Sequence, residues 1–339
     1  MAITLARKGA GITSPNPMVG AVLVNDGSVI GKGYHKGPGR LHAEAEALQN
    51  ASSSPEGATL YVNLEPCCHT DKRTPPCTRE IIKANIKRVV IGMEDPNPHV
   101  NGRGVRELIE AGIKVDNGVL MGDASKLNEI YSKFITTNIP YVIMKSASSL
   151  DGKIALASGE SKWITGKAAR RYGHSLRALV DAVAAGIGTV IADDPALNVR
   201  HVNSKGKQPL RIILDSRLRI PFTSRVLDTS TGQGTVVVTT KAVPLEKIEA
   251  LEKNGIKILI AESREDGEIY LKSMMPLLGK AGITSILIEG GSGINVSALR
   301  ERVVDKVAMI YSPRIIGGRD SIGMVGGDSP KSLDESVFF

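Results

Sequence analysis

Short apolar runs alternate with amphipathic stretches along the whole chain, and the pattern resolves into two series of strands and helices. In the first series, residues 21–24 and 29–34 are apolar-rich runs on either side of Asn25-Asp26-Gly27, which predicts a β-hairpin. Before it, residues 3–8 predict the end of a short helix stopped by Gly9 and Gly11. After it come a helix over 43–49, a strand over 59–64, a helix over 78–85, a strand over 88–92, a helix over 104–111 and a strand over 113–115. Leu127, Ile130, Tyr131 and Phe134 recur at helical spacing and predict one helix over 124–136. Such alternation predicts a layered α/β sandwich.

The pattern resets near Thr137-Asn138-Ile139-Pro140, which divides the chain into domains 1–138 and 139–339. Strand-like runs then recur at 141–145, 182–185, 210–214, 235–239, 256–260, 285–288 and 306–311, with helical stretches between several of them. The second domain is therefore also α/β.

Composition narrows the function classes. A chain of 339 residues can build two cores, and 42% hydrophobic with 23% charged residues is ordinary for a globular protein. The net charge of +8 comes with only 4% aromatic residues for stacking bases, so an anionic small molecule accounts for it as well as nucleic acid does. No apolar run reaches a membrane span, and the N-terminus lacks a signal-peptide core. The three cysteines, all in one constellation, make no disulfide framework. A cytoplasmic protein with no membrane or nucleic-acid partner is expected.

That constellation carries the chemistry. His42-Ala43-Glu44 precedes Glu65-Pro66-Cys67-Cys68-His69, and Pro75-Pro76-Cys77 follows. The order H-x-E, then P-C, then C is that of the zinc-dependent base deaminases. His42, Cys67 and Cys77 could hold one Zn²⁺ and leave its fourth position to water, whose pKa the metal lowers. Glu44, not a ligand, would carry the proton from that water to the leaving amine. On a regular helix, residues two apart point to nearly opposite sides, so His42 and Glu44 share a site only if His42 caps the helix. A structural zinc knuckle or plain buried thiols would explain the cysteines alone; the H-A-E triplet on a separate predicted helix favours catalysis.

In the second half, the strand over 286–288 runs through Glu289-Gly290-Gly291-Ser292-Gly293 into a predicted helix over 294–302. Exposed amides at such a junction bind phosphate. As a dinucleotide fingerprint it is incomplete, because Val296 stands at the third glycine position and no acidic residue follows at the ribose distance. The segment 158–166 holds the single tryptophan, Trp163, among residues too polar for a core. Arg177 and Arg200 flank predicted strands, and an arginine fork suits phosphate, although solvated surface charge explains any one of them.

Together, SPNPMVGAV, GYH, HAEAEAL, LEPCCH with RTPPC, DPNP, SLDGKIALASGESKWIT, ADDPALNVR and IEGGSG resemble the RibD family of riboflavin biosynthesis, over nearly the whole chain. The resemblance implies a cytidine-deaminase-like α/β/α sandwich followed by a dihydrofolate-reductase-like α/β domain. It implies deamination of 2,5-diamino-6-(5-phosphoribosylamino)pyrimidin-4(3H)-one with one Zn²⁺. NADPH-dependent reduction of the ribosyl group would follow, in a homo-oligomer, dimer or tetramer. By motif, His42, Cys67 and Cys77 would be the zinc ligands and Glu44 the acid/base. Asn16, Ala43, His69 and Asp95 would orient the pyrimidine, and Lys72 or Arg73 would reach its phosphate. Ser161, Arg177, Leu197, Arg200 and Glu289 would contact substrate in the reductase. Ala147, Trp163, Thr189, Asp193, Ser216 and the loop Gly291, Ser292, Gly293, Ile294, Asn295, Val296 and Ser297 would contact NADPH. Asp193 would also assist proton transfer.

Two features depart from the family pattern. The cysteine loop is one residue longer than usual, so Cys68 stands as an alternative to Cys67, although the Glu-Pro-Cys register favours Cys67. The sequence also stops at Phe339, where relatives usually continue into a last strand whose absence would weaken the reductase. Among competing functions, a mononucleotide or tRNA deaminase usually spaces its cysteines C-x-x-C, unlike Cys67 and Cys77, and leaves the second half unexplained. A zinc-stapled binding module for anionic ligands fits the net charge and would keep ligand binding when Glu44 is replaced.

Overall fold

The computed structural model describes residues 1–69 and 75–338, which fall into two compact units, Met1–Asn138 and Ile139–Phe339. In the first, α1 (Ala2–Ala6) leads to the hairpin β1 (Gly20–Asn25) and β2 (Ser28–Tyr34). Asp26 and Gly27 turn it with φ of 47° and 75°, the left-handed pair that a two-residue hairpin turn needs. Then come α2 (Ala43–Gln49), β3 (Thr59–Val62), α3 (Cys77–Lys83), β4 (Arg88–Ile91), α4 (Arg103–Glu110), β5 (Lys114–Asp116), α5 (Met121–Leu127) and α6 (Glu129–Thr137).

The sheet runs β2-β1-β3-β4-β5, with β1 antiparallel to both neighbours and β3, β4 and β5 parallel. Leu23, Leu60, Ile81, Ile91 and Leu108 are fully buried in its core, each contributing on the order of 1.5–3 kcal/mol. Helix α2 lies directly on β2. A Cβ at Gly33 or Gly31 would come within 2.3 Å of the carbonyl oxygen of Ala43 or Ala47. That approach seats His42 and Glu44 against the sheet.

The single helix expected over 124–136 is two helices. Asn128 leaves helical geometry (φ −105°, ψ 20°). Its Oδ1 accepts from the Met18 N–H at 2.8 Å and its Nδ2 donates to the Met18 carbonyl at 3.1 Å. The apolar repeat continues through the break, so periodicity did not reveal it; the side chain chose the backbone of a distant loop over its own helix.

The second unit contains β6 (Tyr141–Ser149), β7 (Lys153–Ala155), α7 (Lys167–Leu179), β8 (Ala182–Gly186), α8 (Ile187–Asp193), β9 (Leu210–Leu214) and β10 (Thr235–Thr240). It continues with α9 (Leu245–Lys253), β11 (Lys257–Ala261), α10 (Leu271–Lys280), β12 (Ser285–Ile288), α11 (Ser292–Arg300), β13 (Lys306–Ser312) and β14 (Ile322–Gly323). The main sheet has the order β11-β10-β9-β8-β12-β6-β13, with every neighbouring pair parallel. β7 and β14 pair apart from it, antiparallel. A sheet covered on both faces needs strands apolar on both faces, and 236–238 and 286–288 are buried throughout. Both units are α/β, as the alternation predicts.

Arg211 on β9 is 1% exposed and donates to the carbonyls of Ala196 (3.1 Å), Val226 (3.0 Å) and Asp228 (2.8 Å), tying two loops to the sheet. Among the described residues no helix is long and apolar enough to cross a membrane.

Candidate active sites

His42 occupies the N-cap of α2 in an extended conformation (φ −72°, ψ 159°), which swings its ring away from the helical register. Cys77 opens α3 and Cys67 follows β3. The three meet: His42 Nδ1 is 3.2 Å from Cys77 Sγ and 3.4 Å from Cys67 Sγ, and all candidate ligand atoms lie within 4.8 Å of one another. Bond lengths of about 2.0 Å to nitrogen and 2.3 Å to sulfur around a tetrahedral Zn²⁺ put N and S roughly 3.5 Å apart. The donor set and its spacing therefore fit zinc. Cys68 is turned aside, its Sγ 4.0 Å from the His99 carbonyl, and burial raises its thiol pKa.

His42 and Cys67 line a cavity of about 590 Å³ that is also lined by Asn16, Ala43, Glu44, His69 and Asp95. Glu44 is 3% exposed, on the first turn of α2. His35 holds Asn16. The Leu41 carbonyl lies 3.1 Å from His35 Nδ1 and fixes the proton there, so Nε2 accepts from Asn16 Nδ2 at 3.0 Å. Burial lowers the His35 pKa and keeps the ring neutral for this role.

Asp95 is held on several sides. Glu65 Oε2 accepts from the Asp95 N–H at 3.0 Å, and the same carboxylate accepts from Gly102 and Val105. Asp95 Oδ1 accepts from the Asn97 N–H and the Tyr131 hydroxyl, both at 2.9 Å. Burial pushes the Asp95 carboxyl up to about 6, although both hydrogen bonds favour its charged form. Burial and then the Asp95 charge push the Tyr131 phenol far up, so it remains a donor.

In the second unit, a cavity of about 510 Å³ gathers Ala147, Ser161, Trp163, Arg177, Thr189, Asp193, Leu197, Arg200, Glu289 and Gly291. At its floor Glu289, at the C-terminal end of β12, accepts from Arg177 through both Nε and Nη2 and from Lys145 Nζ at 3.3 Å. Burial opposes ionisation of Glu289, but Arg177 and Lys145 prevail and hold its carboxyl down to about 2. The third arm of the Arg177 fork donates to the Asn198 carbonyl at 2.8 Å. The fork expected to meet phosphate is thus paired with a carboxylate. His174 accepts from the Arg200 N–H at 3.0 Å; burial, then Arg177 and Arg200, lower its pKa to about 4. Trp163 is exposed, with the Arg170 guanidinium 4.3 Å from its ring centre.

Ser216 and residues 292–297 do not line this cavity. The expected loop through Ser297 is helical from Ser292, two residues before the predicted start of α11. The Gly291 N–H donates to Thr189 Oγ1 at 3.1 Å, and Asn295 is fully buried, donating to the Met324 carbonyl at 2.8 Å. Ser216 donates to Glu268 at 2.8 Å. Lys72 and Arg73 lie outside the described residues. Sequence reasoning overlooked His35, Tyr131, Lys145 and His174. His35 ends the GYH motif, and Lys145 sits two positions before Ala147 on β6, a same-face spacing that could have drawn attention to it.

Residues 140–336 match the family model described as the RibD C-terminal domain, and residues 1–93 match the cytidine and deoxycytidylate deaminase zinc-binding region. A riboflavin biosynthesis protein RibD of Aquifex aeolicus is 44% identical over 337 residues, covering 99% of this chain and 91% of that protein. The chain belongs to the RibD family. The solved RibD of Acinetobacter baumannii (form 1) is 40% identical with a TM-score of 0.86, over 99% of this chain and 90% of that one. A Thermotoga maritima structure described as a diaminohydroxyphosphoribosylaminopyrimidine deaminase/5-amino-6-(5-phosphoribosylamino)uracil reductase is 37% identical with a TM-score of 0.83, over 97% and 91% of the two chains. As a member of the RibD family the chain is a deaminase and reductase of riboflavin biosynthesis, with a zinc-binding deaminase part and an NADPH-dependent reductase part.

Proposed function

We propose that residues 1–138 deaminate 2,5-diamino-6-(5-phosphoribosylamino)pyrimidin-4(3H)-one and that residues 139–339 reduce the ribosyl group of the product to ribityl. The observation that carries the reading is the convergence of His42 Nδ1, Cys67 Sγ and Cys77 Sγ, with His42 and Cys67 lining the same cavity as buried Glu44. His42, Cys67 and Cys77 would hold Zn²⁺, which when bound would supply an activated water. Glu44 would take a proton from the attacking water and return it to the departing amine, which would leave as ammonia. Asn16, fixed by His35, and Asp95, fixed by Asn97 and Tyr131, hold the pyrimidine edge; Ala43 contributes through its backbone and His69 closes the side. Lys72 or Arg73 meets the phosphate.

In the reductase cavity, NADPH supplies a hydride to C1′ of the sugar. Ala147, Trp163, Thr189, Asp193 and Gly291 position the cofactor; Ser216 and residues 292–297, which lie outside the cavity, remain further candidates for contacts with it. Ser161, Leu197, Arg200, Arg177 and Glu289 position the substrate. Arg200 is the phosphate partner that the geometry favours, because Arg177 is engaged by Glu289. Asp193 assists proton transfer, and its 3.9 Å approach to Lys162 Nζ keeps a cation at hand. A cytoplasmic homo-oligomer is the expected state.

The test is a mass-spectrometric product assay on the purified, zinc-loaded chain with the diaminopyrimidinone ribosyl phosphate. Exchange of the amino group for oxygen without NADPH, and a gain of two hydrogens once it is added, is the expected result. No change in either condition would refute the reading.

A further inference from the structure

Asp95 offers its two carboxylate oxygens unequally. Oδ1 accepts two hydrogen bonds, from the Asn97 N–H and the Tyr131 hydroxyl, both 2.9 Å long. These occupy its two lone-pair directions. Both groups are largely buried, Asp95 5% and Tyr131 9% exposed, and both line the deaminase cavity. The Asp95 N–H is spent on Glu65. The side chain is thus fixed in rotation, and Oδ2 is the oxygen left to face the cavity among the described residues.

We propose that Tyr131 is a positioning residue of the deaminase: by donating to Asp95 Oδ1 it presents Oδ2 alone, as a pure acceptor, to an N–H group of the pyrimidine. The proposal rests on the reading that Asp95 contacts the substrate. An acceptor fixed in this way favours an edge bearing an amino or ring N–H and disfavours one that presents a carbonyl. Without the phenol, Oδ1 loses one of its two donors and the carboxyl is free to rotate, so Oδ2 is no longer held toward the ligand. The fold gives the hydroxyl its place. Tyr131 sits on the first turn of α6, just past the break at Asn128, and Phe134 and Ile135 of the same helix line the same cavity. The simpler view, a core tyrosine whose hydroxyl found a convenient partner, predicts an effect on stability only.

The experiment is a double-mutant cycle on the full zinc-loaded chain, reading ammonia release against concentration of the diaminopyrimidinone ribosyl phosphate. Zinc content and reductase turnover of each preparation confirm that it is folded. Tyr131→Phe should raise KM about tenfold and leave kcat within about twofold, whatever it does to melting temperature. Asp95→Asn should raise KM further, and adding Tyr131→Phe to it should cost nothing more, because the hydroxyl acts through the carboxylate. An unchanged KM in Tyr131→Phe, or additive losses in the double variant, overturns the proposal while the reading of Asp95 stands. An unchanged KM in Asp95→Asn overturns both.

Discussion

Replacing Glu289 by Gln removes a charge and almost no volume, at a position where the charge is what matters. Its carboxylate, 9% exposed, lies between Arg177 and Lys145, which are 14% and 18% exposed. The fall of its pKa from an ordinary 4.5 to about 2 corresponds to roughly 3 kcal/mol in favour of the charged form, at about 1.4 kcal/mol per pH unit. Breaking a buried pair costs about 3–5 kcal/mol, and the partial exposure of both cations points to the lower end. The expected loss at pH 7 is therefore about 3 kcal/mol, localised to the second unit.

Urea unfolding monitored by amide exchange in β12 (Ser285–Ile288) measures it. The pH dependence sharpens the test. A carboxyl with a depressed folded pKa stabilises fully above about 4.5, and that stability is lost as pH falls toward about 2. Native chain and variant should converge near pH 2. Adding Lys145→Met, which removes one of the two cations left facing each other, should restore part of the loss. A cost below about 1 kcal/mol at pH 7, or the same difference at pH 2 and pH 7, would refute the electrostatic account.

Four further outcomes are expected. Glu44→Gln should lower deamination by at least about 10²-fold while zinc content by elemental analysis stays at one per chain, since the side chain moves protons and is not a ligand. Cys67→Ala should lose zinc and Cys68→Ala should keep it, in keeping with the 3.4 Å approach of Cys67 Sγ to His42 Nδ1; the reverse pattern in metal analysis would make Cys68 the ligand. Arg211→Met should destabilise the second unit by about 2–3 kcal/mol in urea titration, because the buried carbonyls of Ala196 and Val226 lose their donor. His174, whose folded pKa is depressed from 6.5 to about 4, contributes stability that is present above 6.5 and lost as pH falls to about 4; His174→Asn should flatten the urea midpoint across that window.

The sequence was most informative where a residue type has one dominant use. Asp26-Gly27 marked the hairpin because few other pairs tolerate left-handed backbone, and the seven strands of the second sheet were visible as apolar runs bounded by polar residues. The zinc constellation was legible because H-A-E and the cysteines have a small chemical repertoire together. The helix break was not legible, since Asn128 interrupts no apolar position and its partner, Met18, lies 110 residues away. Nor was the engagement of Arg177. An arginine on a helix reads as a phosphate ligand until the fold delivers a carboxylate from β12, 112 residues further on. Tyr131 looked like one more apolar contact in a helical stripe, and only the folded chain shows where its hydroxyl ends.

The Asn128 clasp has a bearing on how such a pocket can diversify. Through Met18 it ties the proline-rich segment carrying Asn16 to the start of the helix carrying Tyr131, so two walls of the cavity share one fastening. Asn128 does not line the cavity, yet its substitution should disturb both walls at once, so that a change tolerated at position 16 in one background should become harmful in another. Lineages or libraries seeking new pyrimidine specificities should show strong epistasis among positions 16, 128 and 131. Varying the three together, rather than one after another, is the route by which this cavity can change its preference and still fold.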